Sequence, residues 1–214
     1  MKKKQKNQSI PTKYSTGEVE YQPGSRNRVL KNNLGITSIR VMHDNEIMEY
    51  ARAVTVLSEH FSFDHSFTHD DICFIHKTIF GKIYDWAGEY RNVEMSKDGF
   101  VFARAKFIPD LMKELSSSLL RPFTPPTTKI RSELSLLLAK IHVEFIVIHP
   151  FREGNGRTIR LLLSLIAQQA QYSSVDFGFI NDRGKEFKQY IAAIQYGMKG
   201  EYLFMQKIVE QALT

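Results

Sequence analysis

The chain has 214 residues, 43% of them hydrophobic, which suits one domain with a sizeable core and a short extension. Its net charge of +6 falls in residues 1–31, which hold eight basic and two acidic side chains, while the remainder carries 21 of each. The basic charge therefore belongs to a polar tail, which argues against nucleic acid as a partner.

Two further features of the composition concern the compartment. No apolar run reaches the ~18 residues that a membrane span needs, and the basic start is not followed by the apolar stretch of a secretory signal. The only cysteine, Cys73, cannot form a disulfide within the chain and is typical of a reducing compartment. We therefore expect a soluble, cytoplasmic protein with no membrane partner.

The first predicted helix covers residues 45–59, where apolar side chains recur every three or four positions. This spacing places four side chains on one face, which we expect to be buried: Ile47, Ala51, Val54 and Leu57. Thr68 and Asp71 have the spacing of a capping box, which opens a second helix that we expect to end near Gly88.

The rest of the chain is predicted to be helical except for one segment. Five more helices are expected over residues 107–120, 130–148, 157–170, 183–196 and 201–213. The helix over 130–148 is apolar almost all round, so it belongs at the centre of the fold. Apolar residues alternate on both sides of the turn sequence SKDG (96–99), which predicts a short β-hairpin. The predicted fold class is mainly α, a helical bundle with one short β-hairpin.

The residues that indicate chemistry are concentrated in one loop, HPFREGNGRTIR (149–160), which follows the apolar helix directly. Pro150 should end that helix and leave His149 at its rim, and histidine has the pKa range of a general base near neutrality. Gly154 and Gly156 allow the backbone to approach a ligand closely. The loop is therefore expected to line a binding site.

The start of the next helix is expected to bind an anion, because its N–H groups are free and its dipole presents a positive end. Arg157 and Arg160 are three residues apart, so both project from one side of the first turn and add two cations. Glu153 is the only acidic residue of the loop, and Mg²⁺ is usually held by one or two carboxylates plus phosphate oxygens. The loop predicts nucleotide or phosphate chemistry.

This loop resembles the signature of the Fic (Fido) domain protein adenylyltransferase family, H-P-F-x-[D/E]-G-N-G-R-x-x-R, and matches every specified position. The stretches IHKTIFGKIYDWAGEYRNV (75–93) and YIAAIQYGMKGEYLFM (190–205) resemble the family's WAG-containing turn and its closing helices. The resemblance places a Fic domain at residues 68–210, after a basic, partly mobile extension at 1–42 and a flanking helix at 43–67. It implies a Fic-type helical bundle whose hairpin is a target-docking flap.

The resemblance implies a nucleotidyltransferase that moves AMP from ATP onto a tyrosine, threonine or serine hydroxyl of a target protein. His149 would be the catalytic base, and the oxygen that it deprotonates would attack the α-phosphorus while pyrophosphate leaves. Glu153 would hold Mg²⁺ against the phosphates. In the related Doc-like kinases a lysine stands where this chain has Gly156, so glycine here favours AMP transfer over phosphorylation.

The resemblance also implies the nucleotide-binding residues. Arg157 would bind the β-phosphate and Arg160 the γ-phosphate, while three backbone N–H groups of the loop would stabilise the developing charge. The complete predicted set is Glu153, Gly154, Asn155, Gly156, Arg157, Thr158, Arg160 and, for the base, Tyr190. Because this loop binds phosphates and not bases, a transferase of the same fold that uses UTP, GTP or CDP-choline stays open as an alternative.

Two partners are implied. A target protein would dock on the flap residues Lys97, Asp98, Gly99, Phe100, Val101 and Phe102, which would clamp its backbone as an added strand. The family's inhibitory helix, [S/T]-x-x-x-E-[G/N], pairs its glutamate with the second motif arginine, here Arg160, and the sequence does not contain it. Either a separate small antitoxin supplies that helix, which would make this chain a toxin, or the chain is an uninhibited effector delivered to another cell. The short length favours the antitoxin.

Overall fold

Seven α-helices make up most of the described residues, which in the computed structural model are 15–16 (backbone only), 20–97, 100–180 and 184–214. The helices are α1 (Ile39–His60), α2 (His69–Phe80), α3 (Ile108–Leu115), α4 (Arg131–Ile148), α5 (Asn155–Gln169), α6 (Lys185–Gly197) and α7 (Leu203–Ala212). Three short strands, β1 (Ser15–Thr16), β2 (Met95–Lys97) and β3 (Phe100–Val101), complete the fold. The prediction of a mainly α fold with a short hairpin is confirmed.

The apolar helix expected at the centre is α4. It packs against α3, α5, α6 and α7, and Leu138, Ile141 and Val143, which point to different sides of it, are fully buried. A helix that is apolar all round buries its side chains only if other elements pack on every side of it, which explains its central position. The C-terminal end of α4 therefore lies inside the protein, and the loop with the chemical residues begins there.

The capping box at the start of α2 is confirmed, but the helix ends earlier than predicted. The Thr68 N–H donates to the Asp71 carboxylate at 2.7 Å, and the Thr68 hydroxyl accepts from the Asp71 N–H at 3.4 Å. The expected end near Gly88 is wrong, because α2 ends at Phe80 and residues 81–88 form turns. Ile83 is buried as its spacing suggests, although it lies in those turns.

The predicted buried face of α1 is wrong in part. Leu57 is fully buried, whereas Ile47 is 54% exposed and Ala51 is also exposed. Besides Leu57, the buried residues of α1 are Met42 and Ala53. The helix also begins at Ile39, six residues before the predicted start, and this added turn and a half brings Met42 into the core.

The segment before α1 is structured where it is described. Val29 belongs to the core at 3% exposure, and the Asn33 N–H donates to the Ile83 carbonyl at 2.9 Å. The Asn32 side chain folds the segment on itself by donating to the carbonyls of Leu30 and Ile36. Residues 20–38 thus pack onto the helical body. Most of the expected mobile tail, 1–14 and 17–19, lies outside the described residues.

The hairpin of β2 and β3 is antiparallel, with Ser96 opposite Val101 and Lys97 opposite Phe100. β1 pairs with the other side of β2, so the strand order is β1-β2-β3 and β3 is an edge of this sheet. None of the helices in the described part of the chain is long and apolar enough to cross a membrane. Asp98 and Gly99, at the predicted tip of the flap, lie outside the described residues.

Candidate active site

His149 follows the last residue of α4 and has a left-handed backbone conformation, with φ 52° and ψ 61°. Its Nδ1 lies 3.3 Å from the Ile146 carbonyl oxygen, which can only accept a hydrogen bond. Nδ1 therefore carries the proton of the neutral ring, and Nε2 carries the lone pair that a base requires. The residue is 5% exposed and lines a large cavity.

Phe102 of the flap stacks on His149, with ring centroids 3.8 Å apart and planes inclined by 17°. The side chain is 7% exposed, and its N–H donates to the Met95 carbonyl at 3.1 Å. Phe102 was predicted to clamp the target, but both its ring and its N–H are already engaged. Among the described flap residues, Lys97, Phe100 and Val101 are more exposed than Phe102, which packs on the imidazole.

The loop between α4 and α5 is held by Asn155, whose side chain accepts from the Phe151 N–H at 2.9 Å and donates to the Phe151 carbonyl at 2.8 Å. Asn155 is 1% exposed, and its side chain faces the loop and not the cavity. The fully buried Thr158 hydroxyl donates to the Gly154 carbonyl at 3.0 Å, also away from the cavity. Of these two predicted nucleotide-binding residues, only backbone atoms can reach a ligand.

His76 supports the same loop from α2. The Gly88 N–H donates to its Nδ1 at 2.8 Å, so Nε2 carries the proton and donates to the Glu153 carbonyl at 3.0 Å. Its ring stacks on Phe151 at 3.9 Å. The sequence analysis missed this residue, although its place between Ile72, Ile75 and Ile79 on the apolar face of α2 is a usable signal.

The N-terminus of α5 provides the expected anion site. The first hydrogen bond of this helix runs from the Thr158 N–H to the Gly154 carbonyl, so the N–H groups of residues 155–157 have no acceptor within the helix. Gly154, in the left-handed conformation at φ 80°, donates its N–H to the Glu153 carboxylate at 3.0 Å. A Cβ added at Gly156 would meet nothing within 4 Å, so there is room for a ligand at this turn.

Arg157 is held between two carboxylates. Its guanidinium lies 2.9 Å from Glu46 and 3.4 Å from Glu153, and the Tyr84 hydroxyl donates to Glu46 at 2.9 Å. Arg160 also lines the cavity, with its guanidinium 5.3 Å from the Phe177 ring centroid. Sequence reasoning missed Glu46, because it lies on α1, 111 positions from its partner. The two arginines and Glu153 meet in one cavity as predicted.

The cavity measures about 1490 Å³ and is bounded by the loop, the flap, α1 and α6. Tyr190 of α6 belongs to its wall, but its hydroxyl is bonded to His142 Nε2 at 2.8 Å. Tyr190 can therefore offer a ligand its ring and not its hydroxyl. This volume exceeds the roughly 300–1,000 Å³ of typical small-molecule sites.

The residues around the loop fit a magnesium ion only when a phosphate is also present. No group of three or more histidine, cysteine, aspartate or glutamate side chains converges on one point in the described ranges. Glu153 and Glu46 are the carboxylates beside the anion site, on either side of Arg157. Because Mg²⁺ takes one or two carboxylates and completes its shell with phosphate oxygens and water, this donor set is sufficient.

Two buried histidines should make the protein sensitive to acid. Burial lowers the pKa of His76 to about 4 and, together with the nearby Arg160 charge, that of His142 to about 3. The unfolded chain binds these protons near pH 6.5, so stability is complete above that pH and is lost as pH falls towards these values. Urea unfolding should show a free energy of unfolding that falls by about 1–3 kcal/mol per pH unit below pH 6.5.

The matched control is His60→Gln, because His60 is exposed at the end of α1 and should leave this slope unchanged. His142→Gln should flatten the slope. A free energy of unfolding that stays constant from pH 6.5 to pH 5 would contradict the neutral, buried state of both rings.

An imidazole, a carboxylate, two arginines and a helix N-terminus line one cavity, and together they can bind phosphate groups. Residues 66–167 match the sequence model of the Fic/DOC family, and the chain carries a domain of that family. The resemblance seen in the loop sequence is thereby confirmed.

Two relatives and two solved structures illustrate the likeness. Protein adenylyltransferase VbhT of Bartonella schoenbuchensis is 35% identical over 102 residues, which are 46% of this chain and 20% of that protein. A protein adenylyltransferase of Bartonella henselae is 26% identical over 196 residues, which are 85% of this chain and 35% of that protein. The chain thus spans only about a fifth to a third of the length of these relatives.

Among solved structures, BepC of Bartonella tribocorum with bound AMPPNP has a TM-score of 0.71 at 24% identity, covering 86% of this chain and 92% of its own. The N-terminal FIC domain of Bep8 from Bartonella sp. 1-1C has a TM-score of 0.73 at 21% identity, covering 87% and 91%. At these identities the likeness concerns the fold, which is the Fic-type helical bundle that the sequence predicted.

Proposed function

We propose that this chain is a protein adenylyltransferase that transfers AMP from ATP to a tyrosine, threonine or serine hydroxyl of a target protein. The observation that carries the proposal is that the base His149 and the anion site at the start of α5 line one cavity. The names of the two Bartonella relatives and the AMPPNP bound to BepC agree with this chemistry.

In the proposed reaction, His149 Nε2 accepts the proton of the target hydroxyl. The oxygen forms a bond to the α-phosphorus as the bond to the bridging oxygen breaks, and pyrophosphate leaves. The N–H groups at the start of α5 stabilise the charge that develops, while Arg157 and Arg160 neutralise the β- and γ-phosphates. Glu153 would hold Mg²⁺, which supplies further neutralisation of phosphate charge.

One detail supports nucleotidyl transfer over phosphorylation without deciding the nucleotide base. The open space at Gly156 leaves room for the α-phosphate beside the helix N-terminus, which a lysine would fill. UTP, GTP and CDP-choline present similar phosphates to the same loop, so the nucleotide base must be decided by experiment.

The test is incubation of the protein with ATP, Mg²⁺ and a lysate of candidate host cells, followed by gel autoradiography. Label from α-³²P-ATP but not from γ-³²P-ATP, absent with His149→Ala, is the expected result. Label from γ-³²P-ATP alone would overturn the proposal in favour of a kinase. Label only from α-³²P-UTP, α-³²P-GTP or labelled CDP-choline would identify the alternative transferase.

We further propose that the target adds a strand to β3. Met95 and Phe102 form a hydrogen-bonded pair of the antiparallel ladder. Hydrogen-bonded and non-hydrogen-bonded pairs alternate, so the N–H and C=O of Val101, which precedes Phe102, point away from β2. Val101 is 69% exposed, and β1 pairs with the other side of β2. The backbone of Val101 is thus the docking point on the described flap.

Val101→Pro should therefore weaken binding of the target protein and leave binding of the nucleotide unchanged. Proline removes the N–H donor, and the loss of one hydrogen bond of about 1 kcal/mol predicts a roughly fivefold lower kcat/KM for the target. Val101→Thr keeps the N–H and should behave as wild type. Equal losses in both variants, or a loss of ATP-analogue affinity in Val101→Pro, would contradict docking through this backbone.

We also propose that the chain acts in the cytoplasm as the toxin of a toxin–antitoxin pair. Ile47 and Ile191 are exposed on α1 and α6 at the wall of the cavity that contains Arg160, and they suit the apolar side of an inhibitory helix. Expression in a bacterial host should arrest growth, His149→Ala should not, and a small protein encoded beside this chain should restore growth. Normal growth with wild type would favour a delivered effector instead.

A further inference from the structure

Arg91 is a buried cation at the base of the flap. It is 2% exposed, although arginine is rarely buried without a charged partner. Among the described residues, its guanidinium donates to four backbone carbonyls and to no carboxylate. Those carbonyls belong to two places that the proposed reaction must bring together, namely the catalytic histidine and the flap.

The first pair of carbonyls lies at the end of α4. Arg91 Nε donates to the His149 carbonyl at 2.8 Å, Nη2 lies 3.3 Å from the Ile148 carbonyl, and the Arg91 N–H donates to Pro150 at 2.8 Å. The last carbonyls of a helix lack intrahelical partners and form the negative end of its dipole, so a cation is favoured there. These bonds hold His149 in a left-handed conformation that is unfavourable for a non-glycine residue.

The second pair of carbonyls lies on the two arms of the flap. Nη1 donates to the Val93 carbonyl before β2, and Nη2 donates to the Ala103 carbonyl after β3, both at 2.6 Å. The Ala103 N–H in turn donates to Val147 of α4 at 3.3 Å. The guanidinium thus joins both ends of the hairpin to the end of the central helix.

We propose that Arg91 is a positioning residue that fixes the flap relative to His149, so that a hydroxyl docked on β3 meets the imidazole. The inference rests on the proposed AMP transfer. Phe102, between Ala103 and the hairpin, stacks on His149, so a shift of the flap base also releases the ring. Lysine cannot replace Arg91, because a single ammonium lacks the planar fork that reaches carbonyls in several directions.

The first test compares Arg91→Lys with wild type in two assays. AMP transfer from α-³²P-ATP to the lysate proteins should fall about 100-fold, since a displacement of about 1 Å between reacting groups costs that much. The affinity for AMPPNP should stay within about twofold, because Arg91 contacts none of the predicted phosphate-binding side chains. A parallel loss in both assays, or unchanged transfer, would overturn the proposal.

A matched control separates positioning from stability. Met205→Ala removes a fully buried side chain from α7, far along the chain from the flap, and should lower the melting temperature. When both variants are assayed at a temperature where both are folded, Met205→Ala should keep its transfer activity. If Met205→Ala loses transfer to the same extent as Arg91→Lys, the role of Arg91 is only structural.

A second readout does not depend on AMP transfer, so it remains informative if the proposed function fails. In ¹⁵N-histidine NMR, wild-type His149 should show a single tautomer protonated at Nδ1, whereas Arg91→Lys should show averaging of both tautomers. If Arg91→Lys does not fold, hydrogen exchange of the wild type decides. We expect similar exchange rates for the amides of Phe102, Ala103 and His149. Much faster exchange of the two flap amides than of the His149 amide would overturn the proposal.

Discussion

His149→Ala is expected to lower the rate of AMP transfer about 10²–10⁴-fold and to leave AMPPNP affinity almost unchanged. The imidazole is the proposed base because its Nδ1 donates to the Ile146 carbonyl, which leaves the lone pair on Nε2. The phosphate site on α5 is built from other residues and should still bind the nucleotide. Initial rates of α-³²P incorporation and calorimetric titration with AMPPNP measure the two quantities.

The control for this experiment is His60→Ala, which removes an exposed histidine at the end of α1. It should retain wild-type rates. A His149→Ala protein with more than about a tenth of wild-type activity would mean that another group, or water, accepts the proton. Loss of AMPPNP affinity together with the rate would mean that the ring is part of the nucleotide site.

The central helix and the loop after it could be predicted because their signals are local. The apolar residues of 130–148 require burial on all sides, and proline, two glycines and three arginines follow within twelve positions. The capping box of Thr68 and Asp71 is equally local, because both partners lie within one turn. Such features depend on neighbouring residues, and the tertiary structure did not change them.

The residues that the sequence did not reveal act over long separations. Glu46 reaches Arg157 from α1, His76 reaches Glu153 from α2, and Arg91 reaches the end of α4 from the flap. Nothing in the local spacing of these residues specifies their partners. The wrong face of α1 has the same origin, because Ile47 faces a cavity formed with distant parts of the chain and not the core.

Gly154→Ala is expected to damage both the fold and the site. Gly154 has φ 80°, and a Cβ there would lie 2.2 Å from Phe80 Cε2 and 2.4 Å from Phe80 Cζ. Phe80 is fully buried and lies against His76, with ring centroids 4.9 Å apart, so the ring cannot move aside. Overpacking and left-handed strain together predict a free energy of unfolding lower by about 2–4 kcal/mol, measured by urea denaturation.

The second glycine of the loop is the matched control for stability. A Cβ at Gly156 meets nothing within 4 Å and the residue is helical, so Gly156→Ala should keep or slightly raise the free energy of unfolding. The clash also predicts a suppressor, since Phe80→Leu shortens the opposing ring. The double variant Gly154→Ala/Phe80→Leu should be more stable than the sum of the single effects predicts. Strict additivity would show that backbone strain alone, and not the contact with Phe80, requires glycine where the phosphate-binding helix begins.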